Sequence, residues 1–155
     1  MQSAYRTVLL VEDNPDDVLL IQRAFHKARL SYPVHQVGDG EEAINYLDGK
    51  GIYANRQQHP LPGLLLLDLK LPRTSGMEVL AWLKAQPGLS QLPVVVFTSS
   101  REDTDIQRAY ELGANSYLVK PVHFDDLLEM VQTLGIYWLQ FNERPDISIA
   151  WQDTL

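Results

Sequence analysis

The sequence predicts an α/β fold, a doubly wound parallel sheet with helices on both faces. Three observations carry that expectation. Apolar runs of strand length, such as Val8-Leu9-Leu10-Val11, Leu64-Leu65-Leu66-Leu67 and Val94-Val95-Val96-Phe97, are too short for a membrane and dense enough for buried strands. Segments with apolar residues at helical spacing lie between them, the alternation that builds βαβ units. At 155 residues the chain fits one domain with a sizeable core.

The elements follow in order. Residues 7–12 form the first strand. Asn14 then caps a helix with Pro15 at its first position, turning Val18, Leu19, Ile21, Ala24 and Phe25 inward. Residues 33–37 make a short second strand, and Asp39 caps a helix over 41–47 that stops at Asp48-Gly49. The polar stretch 50–63 exceeds the usual connection, so it is either a functional loop or a tolerated insertion. After the third strand, 72–74 turn, and Ser75-Gly76-Met77-Glu78 matches a capping box ahead of Leu80, Trp82 and Leu83. Pro87-Gly88 closes that helix. The fourth strand leads into a helix over 103–112 ended by Gly113, the fifth strand covers 116–119, and a last helix runs over 124–141. There is no internal repeat or interdomain linker, so the expected organisation is one domain over 1–145 and a tail over 146–155.

Composition narrows the function. A formal net charge of −7 and no basic cluster argue against a nucleic-acid surface. The absence of Cys excludes disulfides, thiolate catalysis and thiolate metal ligands. No signal segment opens the chain, no run approaches the ~20 apolar residues of a bilayer span, and the four His are scattered. The expectation is a soluble cytoplasmic protein with no membrane partner.

The strand ends carry the chemistry. Glu12 and Asp13 end the first apolar run, Asp68 the third, Thr98 the fourth and Lys120 the fifth. Singly, each is more commonly a turn former, a helix cap or a surface residue. Together they deliver three acids, a hydroxyl and an ammonium to one edge of a parallel sheet, where ligands bind in such folds. Carboxylates crowded there repel one another unless a cation sits between them. The chemistry that needs this set is phosphoryl transfer to a carboxylate. Asp68 serves as the nucleophile. Glu12, Asp13, Asp68 and a backbone carbonyl, Lys70 by position, offer Mg²⁺ its hard oxygen ligands. Lys120 and the Thr98 hydroxyl meet phosphoryl oxygens. One pair of unit charges about 4 Å apart at an effective dielectric of about 20 is worth roughly 4 kcal/mol, so Lys120 and the metal outweigh any surface pair.

Val11-Glu12-Asp13-Asn14, Leu67-Asp68-Leu69-Lys70-Leu71-Pro72 with Gly76, Thr98-Ser99, and Tyr117-Leu118-Val119-Lys120-Pro121 resemble the receiver domains of two-component response regulators over nearly the whole chain. The resemblance implies a flavodoxin-like five-stranded sheet in the order 2-1-3-4-5. It makes Asp68 the phospho-acceptor for a sensor histidine kinase, Glu12 and Asp13 the Mg²⁺ pocket, Lys120 the phosphate-pairing lysine, and Thr98 and Tyr117 the switch pair. In that family phosphorylation draws Thr98 to the phosphoryl group, Tyr117 turns inward, and the face of the fourth helix, fifth strand and fifth helix is read by a partner. The resemblance also implies a cis Lys120-Pro121 bond. Glu12 stands where Asp is commoner, keeping the charge with longer reach. Lys70 and Ser100 lie where receivers vary.

The 50–63 loop and the aromatic C-terminus, Tyr137-Trp138-Leu139 with Phe141-Asn142-Glu143-Arg144-Pro145, resemble more narrowly the single-domain regulators paired with cyanobacterial phytochrome kinases. Ile136 to Phe141 are apolar nearly all round, and a terminal helix has one core-facing side. Tyr137, Trp138 and Phe141 therefore form an expected homodimer patch. With no output domain in view, the signal leaves by changed protein association. The chain reads as no turnover enzyme on an external substrate. The alternatives are a degenerate receiver that only binds a partner, a stand-alone aspartyl-phosphate phosphatase or mutase, and a flavodoxin-like electron carrier. The phosphatase lacks its second acid, since Lys70 stands two residues after Asp68. The electron carrier lacks a phosphate-cradling loop after the first strand.

Overall fold

The computed structural model describes residues 7–143. Arg144, Pro145 and the expected tail lie outside them. Five strands, β1 (Val8–Val11), β2 (Val34–Val37), β3 (Leu64–Leu67), β4 (Val94–Thr98) and β5 (Ser116–Val119), form one parallel sheet in the order β2-β1-β3-β4-β5. The helices are α1 (Pro15–Lys27), α2 (Gly40–Asp48), α3 (Gly76–Lys84), α4 (Asp103–Glu111) and α5 (Phe124–Leu134).

Successive side chains of a strand point to opposite faces, and the apolar runs fill both. Leu9 and Val11 of β1 and Leu65 and Leu67 of β3 pack with Tyr46, Leu47, Leu80 and Leu83 of α2 and α3. Val8, Leu10, Leu64 and Leu66 pack on the other side with Ile21, Ala24 and Phe25 of α1 and Leu127, Val131 and Leu134 of α5. Burying one such side chain contributes about 1.5–3 kcal/mol, so the four-leucine β3 anchors both layers. The helices begin where the caps direct. Asn14 Oδ1 accepts from the amides of Asp16 and Asp17, and Asp39 from that of Glu42. Ser75 and Glu78 close a reciprocal capping box at α3.

Four expectations need correction. Leu19 is exposed, because two positions before Ile21 lie about 200° around the helix from the buried face. The last helix is interrupted: α5 ends at Leu134, and Gly135–Phe141 winds as a π-helix, with the Asn142 amide donating to the Tyr137 carbonyl at 2.7 Å. The break falls at Gly135, where a Cβ would stand 2.5 Å from Leu30 Cδ1, so the chain after α5 lies close against the segment that follows α1. The wider winding turns Leu139 into the core and half-buries Trp138, leaving Tyr137 and Phe141 as the exposed aromatics of the expected patch. No peptide bond among the described residues is cis, so Lys120-Pro121 is trans. An X-Pro bond prefers trans by only about 0.5–1 kcal/mol, too little for sequence to decide.

The 50–63 loop is ordered. It opens with a 3-10 turn, Gly51–Ala54, and folds back on α2. The Arg56 guanidinium caps that helix, donating to the carbonyls of Tyr46 at 2.7 Å and Leu47 at 2.9 Å. Tyr53 donates to Glu42 at 2.7 Å, and its ring packs against those of Tyr46 and His59. Burial pushes the Tyr46 and Tyr53 hydroxyls up to about 12.

Candidate functional site

The residues expected to carry the chemistry are tied into the sheet by their own backbones. The Glu12 amide donates to the Val37 carbonyl, that of Asp68 to Val11, and that of Lys120 to Thr98. Each side chain is thus fixed at the carboxyl rim, with β1 and β3 as adjacent partners. Gly76 keeps the rim compact. A Cβ there would stand 2.3 Å from the Asp68 carbonyl oxygen and 2.6 Å from Leu69 Cα, so only glycine lets α3 start against the loop that follows β3.

At this rim the carboxylate oxygens of Glu12, Asp13 and Asp68 lie within 4.8 Å of one another. Glu12 and Asp68 are buried and Asp13 is exposed, so the cluster opens to solvent on one side. Lys120 Nζ stands among the acids. It donates to Asp68 Oδ2 at 2.9 Å and to Asp17 Oδ2 at 2.8 Å. It also lies 2.7 Å from Glu12 Oε1, an ion pair. The other Glu12 oxygen accepts from the Asn14 amide at 3.1 Å, and Asp68 Oδ1 from the Lys70 amide at 3.2 Å.

The electrostatics follow from that crowding. Burial, aided by the charge on Asp68, pushes Glu12 up to about 7 against the opposing pull of Lys120. Burial alone would lower the Lys120 ammonium, but its contacts with Asp17, Glu12 and Asp68 outweigh that and hold it above its ordinary value. Three carboxylates therefore meet one ammonium, and a fourth, Asp13, lies in the same acidic cluster. An excess of hard oxygen donors around a single fixed cation is the donor set of a small divalent metal. Ligands about 2.0–2.1 Å from Mg²⁺ stand at most about 4.2 Å apart, so the cluster needs only a slight contraction to hold one.

The remaining expected residues line the neighbouring strand ends. Thr98 is fully enclosed, and its Oγ1 has no hydrogen-bond partner among the described residues. Tyr117 donates its hydroxyl to the Ser100 carbonyl at 3.0 Å, while the Ser100 hydroxyl donates to Asp105 Oδ2 at 2.5 Å. Burial raises the Tyr117 hydroxyl's pKa.

Sequence reasoning missed Asp17. Asp16 and Asp17 both occupy the first turn of α1, where the helix dipole alone accounts for acids. The only signal was an acid one turn beyond the strand-end pair, and nothing in the sequence ties it to Lys120, 103 residues away.

The family description "response regulator receiver domain" matches residues 8–132. The chain is 41% identical over 141 residues to the probable methanogenesis regulatory protein FilR2 of Methanothrix harundinacea, covering 89% of this chain and 86% of that one. It is 39% identical over 135 residues to response regulator Rcp1 of Synechocystis, covering 87% and 90%. Among solved structures, the phosphorylated cyanobacterial phytochrome response regulator RcpA superposes with a TM-score of 0.84 at 39% identity, over 92% of this chain and 99% of that one. The Mn²⁺-bound form of Rcp1 superposes at 0.81 with 38% identity, over 91% and 99%.

Proposed function

The chain belongs to the response regulator receiver domain family, and we propose that it accepts a phosphoryl group on Asp68 from a sensor histidine kinase. The observation that carries this reading is the gathering of Glu12, Asp13 and Asp68 oxygens within 4.8 Å at the sheet rim, with the Lys120 ammonium 2.9 Å from Asp68. A carboxylate aimed at an anionic donor needs its repulsion offset; the rim supplies the Lys120 ammonium and an acidic cluster that would hold a divalent ion.

In this reading Glu12, Asp13, Asp68 and the Lys70 carbonyl would hold Mg²⁺, which when bound would supply charge neutralisation for the transferring group. The Mn²⁺-bound form of Rcp1 supports a divalent ion in this family. Asp68 Oδ attacks phosphorus as the bond from phosphorus to the donor's histidine nitrogen breaks, the imidazole leaving with the electron pair, and Lys120 redirects the donor it gives Asp68 to a phosphoryl oxygen. Thr98 Oγ1, enclosed without a partner, gains one only when phosphoryl oxygens arrive. That differential contact shifts the population toward a second state in which Tyr117 gives up the Ser100 carbonyl.

The likeness to phytochrome response regulators supports a phytochrome-type kinase as donor. The exposed Tyr137 and Phe141 support a homodimer and exit of the signal by protein association. No described helix is long and apolar enough to cross a membrane. Incubation with acetyl phosphate and Mg²⁺ followed by intact-mass measurement tests the chemistry. Wild type gains one phosphoryl mass and Asp68→Asn gains none. A wild type that stays unmodified, or an Asp68→Asn protein that is modified equally, overturns the reading.

A further inference from the structure

Lys120 is a flexible four-carbon stem carrying three N–H donors, and keeping its head at the sheet rim has an entropic cost. Three carboxylates surround that head: Glu12 at 2.7 Å, Asp17 at 2.8 Å and Asp68 at 2.9 Å. Two of them are committed elsewhere during phosphoryl transfer. Glu12 belongs to the oxygen cluster that suits a divalent ion, and Asp68 forms the new bond to phosphorus. Asp17 is outside that cluster. It sits on α1 rather than on a loop, and its amide is fixed by Asn14 Oδ1 at 3.3 Å. Asp16, in the same helical turn, is exposed, and its side chain makes no ion pair among the described residues.

We infer that Asp17 is the positioning residue for Lys120, the carboxylate that keeps hold of the ammonium while Asp68 is phosphorylated. The inference rests on the phospho-acceptor reading above. With acetyl phosphate as donor, an Asp68 oxygen bonds to phosphorus as the bond from phosphorus to the acetyl oxygen breaks. Acetate leaves with the electron pair. No proton moves at Lys120. One of its N–H donors passes from Asp68 Oδ2 to a phosphoryl oxygen, and the donor to Asp17 stays in place, so the ammonium is not lost to solvent as its partner changes. Removing Asp17 leaves the charge on Lys120 but releases its direction.

The test compares initial phosphorylation rates of the full chain by intact mass, using acetyl phosphate and Mg²⁺. Mg²⁺ affinity is measured separately by calorimetry. Asp17→Asn and Asp17→Ala lower the rate by about tenfold or more, the loss of one charge-assisted hydrogen bond, at unchanged Mg²⁺ affinity. Asp17→Glu recovers a large part of the rate, and Asp16→Asn behaves as wild type. Independently of activity, the Lys120 ammonium signal in proton–nitrogen spectra is present in wild type, because the ion pairs slow its exchange, and is lost in Asp17→Asn. A wild-type rate in Asp17→Asn overturns the assignment. So does an equal loss in Asp16→Asn, which would trace the effect to the charge at the helix end. A fall in Mg²⁺ affinity matching the fall in rate overturns it as well. If wild type itself takes up no phosphoryl group while keeping the ammonium signal, the failure lies with the phospho-acceptor reading, and the role of Asp17 falls with it.

Discussion

The Thr98 hydroxyl is enclosed in the core without a partner among the described residues, and an unsatisfied buried hydroxyl costs about 1–3 kcal/mol. A residue that costs stability in one state and gains a partner in another is suited to a switch. Thr98→Val removes the orphan oxygen at nearly constant shape. The unphosphorylated protein should become more stable by about 1 kcal/mol in urea unfolding. The same variant should lose the change in Tyr117 environment that beryllofluoride with Mg²⁺ produces in wild type. Destabilisation by Thr98→Val would show that the hydroxyl already has a partner. Glu12 carries a pH dependence. Its pKa of about 7 stands above the ordinary 4.5, so the folded protein holds that proton more tightly than the unfolded chain. Its contribution to stability is therefore full below pH 4.5 and is lost as pH rises through 7. In chelator, Glu12→Gln should gain stability relative to wild type over that window. For the metal the sign is opposite, because a ligand must shed its proton to bind. Titrations of wild type should show Mg²⁺ affinity falling as pH drops below 7, and a flat profile would place the proton elsewhere.

Among the elements, α3 bears most directly on the site. Its capping box fixes where the helix begins, and Gly76 lets that beginning lie against the Asp68 carbonyl. Gly76→Ala must push backbone against backbone. The expected cost is about 1–3 kcal/mol of stability, with a slower phosphorylation of Asp68 because its loop is displaced. Urea unfolding and intact-mass rates check both, and a neutral alanine would mean that α3 can retreat freely. The caps at Asn14, Asp39 and Ser75 were legible from single residues, since a short polar side chain before a helical pattern has one dominant use. The π-helical Gly135–Phe141 was not legible. An apolar segment reads the same wound at either pitch, and the choice depends on how Gly135 meets Leu30 and where Leu139 finds space. The 50–63 loop was legible as long and polar. That Arg56 would cap α2 required the fold-back to exist first.

For the whole molecule, the sheet order puts β1 and β3 side by side at the centre, which is why acids 56 residues apart, Glu12 and Asp68, share one rim. The other global feature is what remains uncovered. With Leu139 buried and Trp138 half-buried, Tyr137 at 55% and Phe141 at 68% exposure are left on the surface of the π-helical segment. Aromatics are enriched at interface centres, and a second copy of the chain is the expected cover. Sedimentation at micromolar concentration should show wild type heavier than its 17.6 kDa monomer and Phe141→Ser closer to it. A clean wild-type monomer would remove the dimer.

The sequence by itself determined the alternation of buried strands and capped helices. It also determined which residue types end each strand, because hydrophobic period and capping are local properties of a few neighbouring side chains. It thereby named Glu12, Asp13, Asp68, Thr98 and Lys120, to which the resemblance to receiver domains added Tyr117. Only the tertiary structure decided that Asp17 reaches Lys120, that Thr98 Oγ1 is left without a partner, that Lys120-Pro121 is trans and that Trp138 turns inward. Those outcomes depend on distances between elements remote in sequence, set by packing that no local pattern encodes.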